Sequence, residues 1–341
     1  MRHPPPQRNR RFPGAGPSGL LPRDSGLLLR PPGSSLSLPG VGGRGLYLLL
    51  AVLLDRLLGD PSFGHPVRLI GFLGEAGFRV FKSLRALGGL LTLFFCGGLF
   101  VGLVWGSVKG VPWLEPLWLF YFLALTSLER EVGQVFEALK GEGLSAARKR
   151  LRYLVSRRVE LLDETGVIRG ALETLAENFN DGFCGPLFWY VVGGLPGTAF
   201  YKVVETLDSM FGYPYGPYRA FGWPIARLDD LLNLVPARLS AVFLALAAPF
   251  CGGSFFETLR VALRDAPAHP SPNAGWPEAA LAGALGISLG GPIPYPRGWE
   301  ERAWLGEGLR APRLEDYSCA LRLTRLAALW ALATALLVFF F

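Results

Sequence analysis

Leu87-Gly-Gly-Leu-Leu-Thr-Leu-Phe-Phe-Cys-Gly-Gly-Leu-Phe-Val-Gly-Leu-Val-Trp-Gly-Ser-Val108 runs for 22 residues without a charge. As a helix it is about 33 Å long, enough to cross the roughly 30 Å hydrocarbon core of a bilayer. After a link of a few residues, Pro112–Leu128 is also long enough to span, with Trp105, Trp113 and Trp118 near the interfaces. The two form a hairpin whose outer ends face one side. Leu321–Phe341, led in by Arg322 and Arg325, is another clean span, and Leu231–Cys251 is apolar with Pro236 and Arg238 near its start. Leu46–Leu58 is shorter and is interrupted by Asp55-Arg56, which makes it a marginal or partial span. Phe183–Tyr201 is broken by Pro186, Gly193-Gly194 and Pro196-Gly197. Such segments occur at membrane depth where they line a cavity, so this one is predicted to be re-entrant or to lie along the membrane. The expected fold is all-α: a polytopic helical membrane protein with re-entrant or broken segments and cytoplasmic helical loops.

Composition agrees. Half of the 341 residues are hydrophobic, 18% are charged, and the mean hydropathy is +0.32; a soluble domain carries about 25% charged residues. The formal charge of +7 suggests nucleic acid until it is located: residues 1–45 carry seven arginines against Asp24 alone, leaving +1 for the rest. No basic patch interleaved with aromatics occurs elsewhere, so nucleic acid is set aside. Residues 1–45, rich in Pro, Gly and Arg, are expected to be a disordered tail, or the product of a start codon placed too early. No signal-peptide apolar region occurs in the first 25 residues. Residues 46–341 form a single membrane domain. Cys96, Cys184, Cys251 and Cys319 are far apart and make no C-x-x-C pair, so they are read as buried free thiols.

From Glu129 to Asp181 the chain is polar, and Glu137 to Arg158 carries Lys140, Arg148, Lys149, Arg150, Arg152, Arg157 and Arg158. The positive-inside rule makes this loop cytoplasmic, with contact to lipid headgroups the expected role of most of its arginines.

Four groups could carry chemistry. Arg169, Glu173, Glu177 and Asp181 fall four apart and stack on one helical face, on a helix expected to end near Asp181-Gly182. Three carboxylates in a row repel unless water, a metal ion or a bound cationic group sits against them. Asp229, Asp230 and Asn233, with Asp208, offer oxygen ligands as Mg²⁺ requires, although paired Asp near a helix start also satisfies the helix dipole. Arg219, Arg227 and Lys202 are candidates to clamp phosphate, with lipid headgroups the alternative. His269-Pro-Ser271-Pro-Asn273-Ala-Gly-Trp276-Pro-Glu278 is a rigid loop before a helix starting near Pro277: a pre-organised binding site, or a structural turn. No P-loop or dinucleotide fingerprint is present. These residues suit Mg²⁺-assisted chemistry on a phosphate-bearing substrate.

At five stretches in order the sequence resembles the CbiB/CobD family of cobalamin biosynthesis, adenosylcobinamide-phosphate synthase. They are His65-Pro-Val-Arg68-Leu-Ile-Gly71; Glu173-Thr-Leu-Ala-Glu177-Asn178 with Asp181-Gly182; Thr206-Leu-Asp208-Ser209-Met210 with Gly212-Tyr213; Ala226-Arg227-Leu-Asp229-Asp230 with Asn233 and Pro236-Ala-Arg238; and His269 through Glu278-Ala. The resemblance covers roughly Leu46–Phe341. Glu205 stands where the family tends to have Asn, and Asn180 where Ser is usual.

The resemblance implies a multi-pass enzyme of the cell (inner) membrane with a cytoplasmic site. Its reaction joins adenosylcobyric acid to (R)-1-aminopropan-2-ol or its O-phosphate as an amide, at the expense of ATP. It implies Mg²⁺ on Asp208, Asp229, Asp230 and Asn233. Glu173, Glu177, Asp181, His269 and Glu278 then form the catalytic set, and Arg68, Lys202, Arg219, Arg227, Ser271 and Asn273 the substrate and phosphate contacts. The partners implied are the corrinoid, the aminopropanol (phosphate), the lipid bilayer and other late enzymes of the corrin pathway. Two rivals are a membrane transporter, whose pathways also show charges between broken apolar segments, and a Mg-dependent transferase acting on a lipid or isoprenoid phosphate.

Overall fold

The computed structural model describes residues 41–341 apart from 60, 62–64, 214 and 296–297. The tail expected over residues 1–45 therefore lies outside the described residues up to 40; helix α1 begins at Val41. The helices are α1 (Val41–Leu58), α2 (Val67–Phe81), α3 (Ala86–Gly110), α4 (Glu115–Phe122), α5 (Leu125–Gly141), α6 (Leu144–Leu151) and α7 (Glu164–Phe179). They continue with α8 (Gly185–Phe211), α9 (Tyr218–Phe221), α10 (Trp223–Ala247), α11 (Phe255–Asp265), α12 (Gly275–Leu285) and α13 (Asp316–Phe340). Between α12 and α13, β1 (Leu289–Gly290) pairs with β4 (Trp304–Leu305) and β2 (Ile293–Tyr295) with β3 (Gly298–Glu300), both antiparallel.

The fold is all-α and membrane-type, as expected. Ala86–Gly110, Trp223–Cys251 and Asp316–Phe340 are long and apolar enough to cross a bilayer. The predicted span Pro112–Leu128 is not one helix. It breaks at Leu123-Ala124, where the Ala124 amide leaves the helix to donate to the Gly182 carbonyl at 2.9 Å. The hairpin itself holds: Trp118 Nε1 donates to Ser107 Oγ at 2.8 Å, and Phe122 packs on Phe100. Helices α1 and α13 run antiparallel, with Gly45 against Phe340 at one end. At the other, Arg56 and Arg325 both grip buried Glu129.

Helix α8 doubles back. Gly194 adopts φ 59°, ψ −161°, a conformation open to glycine. Pro196 then suits the first turn of the returning limb. Thr198 Oγ1 donates to the Pro186 carbonyl at 3.4 Å, and the Tyr201 ring lies against Gly185. In a straight helix residues 185 and 201 would be about 24 Å apart. The predicted re-entrant segment is thus a helical hairpin. It is anchored to α10 by a vacancy that proline creates. Pro236 has no amide to give the Leu232 carbonyl, and Trp189 Nε1 donates to that carbonyl instead, at 3.1 Å.

The acidic helix does not end at Asp181-Gly182. Residues Asn180–Cys184 form a π turn that runs directly into α8. A π turn inserts one residue into the helical register, here at the point where three helices meet. Of the four thiols, Cys96 and Cys184 are buried as expected, whereas Cys319 is exposed.

Candidate active site

The π turn is held by side chains in place of a regular helical repeat. Asn180 Nδ2 donates to Asp181 Oδ1 (2.8 Å) and Asn233 Oδ1 (2.9 Å), while its own Oδ1 accepts from Ser240 Oγ at 3.0 Å. Tyr201 also donates to Asn233 Oδ1 at 3.0 Å, and Asn233 Nδ2 donates to Asp229 Oδ2 at 3.1 Å. These bonds tie Asn180, Tyr201, Asn233 and Ser240 to one another, which makes the buried network rigid. Asn233, predicted as a metal ligand, has its oxygen occupied twice and orients Asp229.

This network forms one wall of a cavity of about 290 Å³ lined by Glu177, Asp181, Asp208, Asp229 and Asp230, with Ser271 and Asn273 at its rim. Among the described residues, the single ion pair of these five carboxylates is Arg227–Asp230 at 3.0 Å, and Arg227 is 64% exposed. Asp208 Oδ1 and Asp229 Oδ1 are buried with no hydrogen-bond partner among the described residues. Burial, with Glu177 and Glu205 beside it, pushes Asp181 up to about 8. Lys202 lies nearby but is paired with Glu205 at 2.8 Å.

A second acidic cluster adjoins the first. Glu173 accepts from Arg157 Nη2 (2.8 Å) and from the Gly290 amide (2.7 Å). Glu278, on α12, is 5% exposed and faces Glu173, Glu177, Arg157 and Arg302. Burial holds Glu278 well above the usual carboxylate range, and the neighbouring Glu173 and Glu177 add to the rise. Glu177 opens onto the cavity, yet the surrounding protein also raises it, against the pull of Arg157 and with the push of Glu173. His269 Nε2 lies 3.9 Å from Glu278 Oε2, and burial lowers the imidazole below its usual range. Ser271 Oγ closes the turn ahead of α12 by accepting from the Asn273 and Ala274 amides, and Asn273 Nδ2 reaches the Asp230 carbonyl at 2.8 Å.

The structure therefore brings together all eleven acidic, amide, hydroxyl and imidazole residues singled out in the sequence. The cations fare differently. Arg68 on α2 and Arg219 on α9 are exposed and do not line the cavity. Arg169 donates to the Gly290 carbonyl (3.1 Å) and stacks on Trp304, with Glu173 bonded to the amide of the same glycine. Sequence reasoning missed Arg157, which it assigned with its neighbours to lipid headgroups, and Arg302, which donates to Tyr295 at 2.8 Å and faces Glu278. No sequence signal singled out either arginine from the surrounding basic residues.

Among the described residues, no three His, Cys, Asp or Glu side chains could jointly hold a metal ion. The two partnerless oxygens of Asp208 and Asp229 fit the other mode, in which magnesium takes one or two carboxylates and completes its shell with phosphate and water.

Residues 48–324 match the family described as CobD/Cbib protein. The chain is similar to the cobalamin biosynthesis protein CobD of Geobacter metallireducens, 44% identical over 265 residues that cover 74% of this chain and 83% of the relative. It is similar also to CobD of Klebsiella pneumoniae, 40% identical over 304 residues (83% and 94%), and to CbiB of Salmonella typhi, 39% identical over the same length and shares. No solved structure matches.

Proposed function

The chain belongs to the CobD/CbiB family of cobalamin biosynthesis proteins, and from that premise we propose that it is an ATP-dependent amide ligase. It would join a carboxylate of adenosylcobyric acid to (R)-1-aminopropan-2-ol or its O-phosphate. The observation that carries this reading is a cavity of five carboxylates with one exposed ion pair, joined to a second acidic cluster around Glu278. Such a cavity accepts cations. A magnesium–nucleotide complex and a protonated amine are the two cationic or cation-bearing reactants of an amide ligase.

In this reading Asp208 and Asp229 hold magnesium, with Asp230 beside them and Asn233 fixing the Asp229 carboxylate through its 3.1 Å bond. The ion would supply charge neutralisation and orientation for ATP phosphates. Arg227, at the mouth, steadies phosphate charge, as Arg219 was expected to do. The carboxylate substrate is activated by phosphoryl or adenylyl transfer, and a protein carboxylate binds and deprotonates the amine. Arg157 belongs to the basic loop and bonds Glu173, which with the positive-inside rule supports a cytoplasmic site.

The test is ADP or AMP release by detergent-solubilised protein with ATP and Mg²⁺, given cobyric acid and aminopropanol phosphate singly and together. Turnover that requires both, with a new amide product by mass, supports the ligase. Substrate flux into proteoliposomes without nucleotide turnover would turn the reading to a transporter, for which the broken hairpin of α8 also speaks.

A further inference from the structure

Resting on the ligase reading, the two clusters can be given separate duties. Glu173 is a fixed anion: its two oxygens are engaged by Arg157 at 2.8 Å and the Gly290 amide at 2.7 Å. Glu278 is the opposite case. It is 5% exposed, accepts no hydrogen bond among the described residues, and has His269 Nε2 at 3.9 Å, beyond bonding distance. The groups that face it are Glu173 and Glu177 from α7, Arg157 from the segment before α7, Arg302 from between β3 and β4, and His269 from its own loop. Arg157 is committed to Glu173, and Arg302 to Tyr295 (2.8 Å) and Glu300 (3.2 Å). The Glu177–Glu278 side of the cluster thus lacks a bonded cation.

An aliphatic primary amine is protonated at neutral pH and presents three donors on a compact positive head. We propose that Glu177 and Glu278 seat the ammonium group of the acceptor amine, and that Glu278 takes its proton. One N–H bond of the ammonium breaks, the proton passes to a Glu278 carboxylate oxygen, and the electron pair stays on nitrogen as the nucleophile's lone pair. Burial raises Glu278, and the neighbouring Glu173 and Glu177 add to the rise; a positive charge seated against it favours its carboxylate form. A carboxylate of raised basicity is matched to an amine in a way an ordinary one is not. His269 is a positioning residue. Ser271 offers Nδ1 both its amide (3.1 Å) and its carbonyl (3.2 Å), so the ring can hold or release a proton at Nε2, facing Glu278, without losing its anchor.

The test uses full-length protein in detergent with ATP, Mg²⁺ and cobyric acid, and two nucleophiles: aminopropanol phosphate, protonated at neutral pH, and hydroxylamine, uncharged there. Wild type is expected to give amide with the first and hydroxamate with the second. Glu278→Gln is expected to lose amide formation by about 10²–10⁴-fold at neutral pH. It should regain part of that at alkaline pH, where the amine in solution is already neutral, and still form hydroxamate. His269→Gln should show the same pattern with a smaller loss, and serves if Glu278→Gln does not fold. Equal loss of both products in Glu278→Gln overturns the assignment, as does unchanged amide formation. If folded wild type forms neither product, the ligase reading falls and takes the assignment with it.

Discussion

Arg157 Nη2 donates a 2.8 Å hydrogen bond to Glu173 Oε2, and the two side chains are 12% and 4% exposed. Removing one partner of such a pair leaves an uncompensated buried charge, at a cost of about 3–5 kcal/mol. Arg157→Ala is therefore expected to lower the melting temperature markedly, and Arg157→Ala combined with Glu173→Gln to recover part of the loss. Additive losses in the double variant would show that the pair is not coupled.

Trp189 and Pro236 are linked through the Leu232 carbonyl. Trp189→Phe strands a buried acceptor and should cost about 1–3 kcal/mol. Pro236→Ala restores a backbone donor to that carbonyl, so the Trp189→Phe penalty should shrink in its background. Thermal unfolding of the four proteins closes the cycle.

Asn233 orients Asp229 while tied to Asn180 and Tyr201. Loss of such a supporting contact typically costs 10–100-fold in metal affinity or activity, so Asn233→Ala should raise the Mg²⁺ needed for half-maximal turnover by about that factor. Asp229→Ala should abolish Mg²⁺-dependent turnover; full activity in that variant would remove Asp229 from the metal site.

Asp181 titrates near 8 in the folded protein against 3.8 ordinarily. Between those values the folded state holds a proton that the unfolded chain has released, so stability falls as pH rises across that window and levels off above about 8. In Mg²⁺-free buffer, Asp181→Asn should flatten this decline and melt higher than wild type at alkaline pH. A melting profile that still falls as steeply in the variant would place the titration elsewhere.

Glu173, Glu177, Asp208, Asp229, Asp230 and Glu278 stood out before folding, because carboxylates beside apolar runs are costly, and Asn233, His269, Ser271 and Asn273 stood out with them; that the separate groups meet did not. The cations were not legible. Arg157 sits in a basic run of the kind that contacts lipid headgroups, and only its 2.8 Å bond to Glu173 separates it from its neighbours. Conversely, Arg219, a candidate to clamp phosphate, and Arg68, an implied substrate contact, are exposed and do not line the cavity.

What the sequence by itself determined is the solvent and the element type: uncharged runs such as Leu87–Val108 can satisfy their backbone in a bilayer only as helices, whatever their neighbours. Gly194 and Pro196 likewise mark a break in the apolar run by their own backbone geometry. Only the tertiary structure decided which residues share the cavity. The π turn at Asn180–Cys184 shifts the register at Asp181, and the bonds from Asn180 to Asn233 and Ser240 bring α10 against it. The contact that pairs Arg157 with Glu173 joins residues 16 apart in the chain, and the packing that brings Glu278 beside them joins α12 to α7; no helical spacing encodes either.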